Sequence, residues 1–339
     1  MQWHPVCDAK DNILEERNDV KAKNNTGNFI LRIFRKTGIF WALILLIIIL
    51  SNVSPVFFST RNFINIFKQA SITSILAMGM TFVLLSGGID LSVGSVVALS
   101  GVIAASVGVT SQDVPVLYCF IAGISVGILC GVINGIGIAY VGYPPFIMTL
   151  GMMGIARGFS QVYTSGKPIF GVNDAFANVA GGMQAGIPNL VFFMIVIFVV
   201  SQFVLSNTLF GRRVYAIGGN RDAARLSGVN VKVHTMFVYI ICGCLAGLCG
   251  MLMASRITSG NPTAASGYEM DAIAAAVIGG VSMTGGYGSV FGTIIGAFIL
   301  IVIQNGFDIL GISPFYKQIV QGTIILIAVL FDIQGKKHK

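Results

Sequence analysis

Charged side chains are scarce in this chain. Asp, Glu, Lys and Arg make up 10% of its 339 residues, against roughly 25% in soluble domains. Apolar residues make up 55%, and the mean hydropathy is +0.84. The length alone would allow two soluble domains, but this composition excludes them. Patterns that carry enzyme chemistry are also missing. No GxxxxGK[ST] phosphate loop occurs, because Gly166-Lys167 runs into Pro168 and Gly335-Lys336 stands at the extreme end. The chain therefore shows no means of its own to bind ATP. No HExxH or nucleophile-elbow pattern is present. The three histidines (His4, His234, His338) are scattered, and the six cysteines form no Cys-x-x-Cys pair. Cys119, Cys130, Cys242, Cys244 and Cys249 fall in apolar runs and read as small buried hydrophobes, with no metal site among them. No signal-peptide cleavage site follows the first apolar run, which starts near Ile39 behind a long polar tail, so that run is expected to be retained.

What is present is about ten apolar runs of a length that can cross a bilayer as helices. They cover 39–57, 70–86, 93–110, 114–140, 145–164, 189–206, 235–255, 271–284, 289–306 and 316–331. Lipid admits only helices and closed barrels, and these runs are too long and too uniformly apolar for barrel strands. The fold class is an all-α polytopic membrane protein of about ten spans. The run 271–284 is short and reads as a broken or re-entrant helix. The expected organisation is a flexible cytoplasmic tail (1–38), a transmembrane domain (39–331) and a basic cytoplasmic end (332–339).

The net charge of +8 reports orientation rather than nucleic-acid binding. Lys and Arg cluster in short segments beside the spans, and such excess marks the cytoplasmic side. With both termini inside, fifteen of them fall inside and five outside, with Arg157 within a span.

The most polar segment is 207–234, NTLFGRRVYAIGGNRDAARLSGVNVKVH. Its length, charge and glycines exceed what orientation requires. Asn220 is a suitable N-cap for a short helix 221–227 that Gly228 would end. Such a helix, set in water between two apolar runs, reads as a docking element for a soluble partner.

Other motifs have a packing reading and a functional one. Gly123, Gly127, Gly131 and Gly135 line one helix face, as do Gly243 with Gly247 and Gly292 with Gly296; close intramolecular packing is the favoured reading over a subunit interface. Gly87-Gly88-Ile89-Asp90-Leu91-Ser92 breaks two spans. Asp90 or Ser92 either caps the next helix or lines a cavity, where irregular backbone is tolerated. Gly285-Gly286 echoes Gly87-Gly88, an echo credited to chance. Ser266-Gly267-Tyr268-Glu269 fits a capping box, with Asp271 in the first turn; Glu269 and Asp271 are expected at the outer mouth, as helix-start acids or as docking groups. Arg157, inside a span, is expected to be paired, functional or snorkelling.

Four blocks carry a resemblance: GMTFVLLSGGIDLSVGSVVALSG (79–101), PPFIMTLGMMGIARG (144–158), AIGGNRDAARLSGVNV (216–231) and GYEMDAIAAAVIGGVSMTGGYGSVFGTIIGA (267–297). From about residue 39 onward the chain resembles the membrane permeases of ATP-binding-cassette sugar importers, in the ribose-type branch of the branched-chain amino acid and monosaccharide permease superfamily. The resemblance implies a type II importer fold in the bacterial inner membrane, with a second permease subunit (a homodimer is expected, a heterodimer stays open), cytoplasmic ATPase partners holding ATP-Mg, and a periplasmic or lipid-anchored sugar-binding protein. No cofactor is expected in this chain. The loop helix would be the coupling helix, carried by Arg221, Asp222, Ala223, Ala224, Arg225 and Gly228. Asp222 stands where the family's motif has Glu, which keeps the acid and shortens its reach. Gly87, Gly88, Asp90, Ser92, Asn134, Phe146 and Thr149 would line the path, whose weak polarity suits a neutral sugar.

Two other classes are weaker. A secondary carrier has only the faint Gly211-Arg212-Arg213 echo, and paired intramembrane acids for proton coupling are lacking. A membrane enzyme would need converging His, Asp, Cys or Glu, and none converge. Within the superfamily the solute stays open, whether another pentose, a hexose, a cyclitol or a furanone-type signal.

Overall fold

The computed structural model describes residues 38–110 and 114–337. The expected tail 1–38, apart from Gly38, lies outside them, as do His338 and Lys339. Helices build the fold: α1 (Gly38–Val53), α2 (Thr60–Leu85), α3 (Val93–Thr110), α4 (Val116–Ile136), α5 (Pro145–Thr164), α6 (Asp174–Gly181), α7 (Asn189–Asn207), α8 (Leu209–Gly219), α9 (Arg221–Leu226), α10 (Val231–Ile257), α11 (Tyr268–Ile278), α12 (Val290–Ile309) and α13 (Pro314–Lys337). A π turn (Gly137–Val141) extends α4. Among the described residues the only strands are two-residue pairs. β1 (Ile169–Phe170) pairs with β4 (Ser259–Gly260), and β2 (Met183–Gln184) with β3 (Ile187–Pro188). Among the described residues the fold is all-α, without a barrel. Each of the ten apolar runs holds a helix; among the described residues five helices are long and apolar enough to cross a membrane, namely α2, α4 with its π turn, α7, α10 and α12.

Two runs differ from their helices in an informative way. The run 70–86 belongs to a helix that starts at Thr60. Ser59 caps it through its Oγ, which accepts from the Asn62 amide at 3.3 Å. The Asn62 side chain then exchanges two hydrogen bonds with Asn305 of α12, at 3.0 and 2.7 Å. Buried amides satisfied across two helices can stay in an apolar bundle, although they depress local hydropathy. The run 271–284 holds only α11, whose 11 residues span about 16 Å at the helical rise, roughly half of a bilayer core.

α2 and α10 form the centre. Every residue of α2 from Ala70 to Leu85 is buried, against α7, α10, α11 and α12. α10 packs on α2, α3 and α4. The glycine row of α4 faces α10, so the seam is intramolecular. A Cβ on Gly127 would lie 2.7 Å from Gly247 Cα, and one on Gly131 2.9 Å from Ile240 Cα. Gly292 and Gly296 of α12 press in the same way on Gly279 and Ala275. Small residues let backbones meet where lipid supplies no hydrophobic drive between helices. On the outside, α7 exposes Ile195, Val196, Val199, Val200 and Phe203, and α4 exposes Leu117, Ile121 and Leu129. Apolar surface this continuous suits acyl chains, not water.

The bundle has two distinct ends. At one end, Tyr215 of α8 bonds Gly288 before α12 (2.9 Å), Lys232 lies over the Tyr140 ring of the π turn at 5.8 Å, and Ile39 of α1 approaches Gly280 after α11. At the other end, Ser255 of α10 donates to Phe176 of α6 at 2.6 Å, and β1 meets β4.

Candidate functional site

The polar segment 207–234 forms two helices. Thr208 caps α8 through its Oγ1, which accepts from Gly211 N at 3.2 Å. Asn220 caps α9 through its Oδ1, which accepts from Ala223 N at 2.9 Å. The expected helix 221–227 is thus Arg221–Leu226. Gly228 sits at φ +82°, with its N–H on Arg225 O and the Val229 N–H on Ala224 O, at 3.0 and 3.1 Å. These are the two bonds of a Schellman ending. Val229 and Ala224 complete it with an apolar contact shared by Ile217 and Val231. α9 is therefore seated on the end of the bundle by Ala224. Arg221, Asp222, Ala223, Arg225 and Gly228 are exposed. Sequence reasoning passed over Leu226, which is 88% exposed on the same short helix. An apolar side chain standing out of a charged helix could have been noticed as a docking group.

The break between α2 and α3 holds a second constellation. Asp90 Oδ1 accepts from Ser92 N (2.9 Å) and from Ser92 Oγ (2.6 Å). Asn134 Nδ2 of α4 donates to Ser92 Oγ at 3.0 Å, while Asn134 Oδ1 is buried without a hydrogen-bond partner. All three residues are 1% exposed. Asp90 folds its own turn ahead of α3, and Ser92 joins that turn to Asn134 of α4. Gly87 is exposed and has φ +78°. A side chain on Gly88 would strike the Tyr239 hydroxyl, which donates to Ile89 O at 3.2 Å.

The remaining expected path residues are not gathered there. Thr149 is buried, its Oγ1 donating to Pro145 O within α5 at 2.9 Å. Phe146 is 54% exposed on the outer side of α5. An apolar groove of about 300 Å³ opens between α3, α4 and α5, lined by Leu99, Ile103, Cys130, Met152 and Phe159 among others. Apart from the Tyr163 hydroxyl, which is bonded to Ser106 at 2.6 Å, such a lining offers a sugar nothing polar.

The acidic pair differs most from its expected setting. The capping box does not form: Gly267, at φ +87°, is the N-cap of α11, and no side chain caps the helix. After α10 the chain turns back into the bundle along α3. A side chain on Gly260 would meet Val102, and one on Gly94 would strike the Glu269 carboxylate and the Ala265 carbonyl. α11 thus starts within the bundle, beside the first turn of α3, and Glu269 lies there half-buried instead of at the outer mouth. Asp271 is buried, its Oδ1 accepting from Gln304 of α12 (3.0 Å) and Gln321 of α13 (2.7 Å). The capping-box expectation failed because a left-handed glycine intervened between Ser266 and the helix. Arg157 fastens the inward segment: its Nη1 donates to Pro262 O and Ala264 O, both at 2.9 Å.

Comparison with known proteins gives these features a context. The family model described as branched-chain amino acid transport system / permease component matches residues 62–329. The ribose import permease protein RbsC of Haemophilus influenzae is 45% identical over 315 residues, covering 91% of this chain and 97% of that protein. RbsC of Bacillus subtilis (strain 168) is 44% identical over 302 residues, covering 88% and 93%. The D-allose transport system permease protein AlsC of Escherichia coli (strain K12) is 39% identical over 298 residues, covering 88% and 91%. No solved structure matches the chain. An all-α, lipid-clad bundle whose family model runs through both glycine breaks and the capped loop helix is a multi-pass membrane protein, and it belongs to the branched-chain amino acid transport permease family.

Proposed function

We propose that this chain is the permease subunit of an ATP-driven importer that carries a monosaccharide, ribose, across the inner membrane. The observation that carries this reading is the likeness to ribose import permeases over almost the whole length of both chains. The chain spans the membrane about ten times with both termini inside. Two facts support that orientation: the start of α1 and the loop 207–234 occupy one end of the bundle, and the basic residues concentrate in the same segments.

The partners follow from this reading. Cytoplasmic ATPase subunits hold ATP-Mg and grip α9, with Leu226 and the flanking Arg221, Asp222 and Arg225 as the docking face. A solute-binding protein delivers the sugar at the opposite end. A second copy of this permease completes the path. The nearly uncovered α5, where Gly151 and Gly154 have open space around them, supports its presence. Nucleotide-driven displacement of α9 moves helices as rigid bodies, and the two states differ in which end of the path is open. The binding protein supplies most of the selectivity. At the end of the bundle that carries α9, Gly87 and Gly88 offer the solute backbone groups; inside the bundle Glu269 offers a carboxylate, while Asp90, Ser92 and Asn134 shape the corner next to the glycines.

A second solute, an aldohexose, is favoured by the D-allose relative. The test is uptake of labelled ribose into proteoliposomes containing the chain with its ATPase and binding-protein partners. Uptake that requires ATP and both partners supports the reading. Partner-dependent uptake of allose but not ribose changes the solute, and uptake by the chain alone overturns the mechanism.

A further inference from the structure

Three glycine pairs distant in sequence meet at the end of the bundle that carries α9. They are Gly87-Gly88 after α2, Gly218-Gly219 at the end of α8, and Gly285-Gly286 before α12. A side chain on Gly218 would collide with the Leu85 carbonyl oxygen, and that same oxygen accepts a hydrogen bond from Gly286 N at 3.0 Å. A Cβ on Gly285 would lie 2.8 Å from Gly218 Cα and 2.9 Å from Gly87 N, and one on Gly286 2.7 Å from Gly219 Cα. Gly87, Gly285 and Gly286 hold φ of +78°, +88° and +76°, a region that side chains disfavour. The three backbones are therefore in direct contact. One helical turn earlier on the same face of α8, the Tyr215 hydroxyl donates to Gly288 O at 2.9 Å.

We propose that Tyr215 and Gly218 are positioning residues that fasten the coupling segment to both glycine turns, so that displacement of α9 reaches the Asp90 corner. The proposal rests on the importer reading above, in which α9 is the part the ATPase moves. The chain of contacts is short. Asn220 alone separates α8 from α9, and Ile217, Ala224 and Val231 pack α8, α9 and the start of α10 together. α8 then presses on Leu85 and Gly286. The turn that begins at Leu85 is held on its other side by Tyr239 at Ile89 O, and it leads directly into Asp90 and Ser92, whose hydroxyl holds Asn134 of α4. A packed element with two arrangements can carry coupling of this kind. The pair Gly285-Gly286 does the same for α12, so one push on α8 reaches two broken helices together.

The test compares wild type, Tyr215→Phe and Gly218→Ala in the assembled transporter, reading solute imported per ATP hydrolysed. Tyr215→Phe keeps the ring and loses only the bond to Gly288. Its import per ATP is expected to fall about fivefold, the scale of one buried hydrogen bond. Gly218→Ala is expected to lower the ratio about tenfold or more, within the usual range of coupling between sites. Both variants should still co-purify with the ATPase and hydrolyse ATP. An unchanged ratio in Tyr215→Phe overturns the proposal, whether or not Gly218→Ala folds. Amide exchange on the permease alone gives a second reading that needs no transport. In Tyr215→Phe the Gly286 amide should exchange about fivefold faster, while the amides of α9 stay as they were. Unchanged exchange at Gly286 also overturns it. Absence of partner-dependent import in wild type would instead remove the importer reading and leave the exchange result to decide the contact.

Discussion

Single side chains hold the turns of this protein where regular helices stop. Asp90 accepts both the amide and the hydroxyl of Ser92 within 3 Å, in a corner closed to solvent. Replacing it with Ala leaves two buried donors unsatisfied. Asp90→Ala is therefore expected to destabilise the permease by about 2 kcal/mol, measured as a lowered midpoint of thermal unfolding in detergent. Asp90→Asn, which keeps an acceptor, should lose less; equal losses would show that the acceptor is not what matters. At the other polar turn, Asn220→Ala should cost the α9 helix about 1 kcal/mol of capping, seen as faster exchange at the Ala223 amide with the rest of the bundle unchanged. The two caps were legible in the sequence to different degrees. Asn220 and Gly228 frame α9 within nine contiguous residues, so local chemistry alone marks the helix. Ser266 and Glu269 have the spacing of a capping box, yet Gly267 takes a left-handed conformation and becomes the N-cap itself. The inward path of the chain along α3 determines that conformation, and no local pattern encodes it.

Helices pair here through what their surfaces omit. The α4 row of Gly123, Gly127, Gly131 and Gly135 meets α10 backbone to backbone. Gly127→Leu would have to separate the two helices and is expected to cost about 3 kcal/mol or more, at the upper end of overpacking. Gly322→Ala on α13, where an added Cβ would meet nothing within 4 Å beyond its own helix, should be neutral or slightly stabilising, since Ala is the better helix former. Thermal unfolding of both variants checks the contrast, and equal sensitivity would contradict the assignment of the seam. The four-residue glycine period was visible in the sequence, and its intramolecular reading agrees with the packing. The start of α2 was not visible. Asn62, Asn65 and Lys68 make 60–69 look like a loop by hydropathy, whereas the Asn62–Asn305 pair, 243 positions apart in the chain, satisfies the polar group that would otherwise end the helix.

Over the whole molecule, the apolar runs made the membrane class legible, and contiguous motifs made the family legible. What a single sequence conceals is convergence. Gly87-Gly88 and Gly285-Gly286 lie far apart along the chain and read as a chance echo, yet with Gly218-Gly219 they form one junction beneath α9. Likewise Glu269 was expected at the outer mouth, just ahead of the short run 271–284 that reads as a broken or re-entrant helix. The segment instead turns inward, held by Arg157 on the carbonyls of Pro262 and Ala264, and sets the start of a half-length helix inside the bundle. Discontinuous helices that begin inside a bundle are a recurrent way to present backbone groups to a transported solute.

The central claim is that α9 transmits the work of a soluble ATPase to a sugar path in this chain. Gly228 ends that helix at φ +82°, which proline, fixed near −65°, cannot adopt. The most direct measurement is ATP-dependent ribose uptake by proteoliposomes of the assembled transporter, comparing wild type with Gly228→Pro at matched permease content and thermal stability. The account predicts partner-dependent uptake in wild type and its loss, by about a hundredfold, in Gly228→Pro. Equal uptake by the two proteins, or uptake that continues without the ATPase, would contradict it.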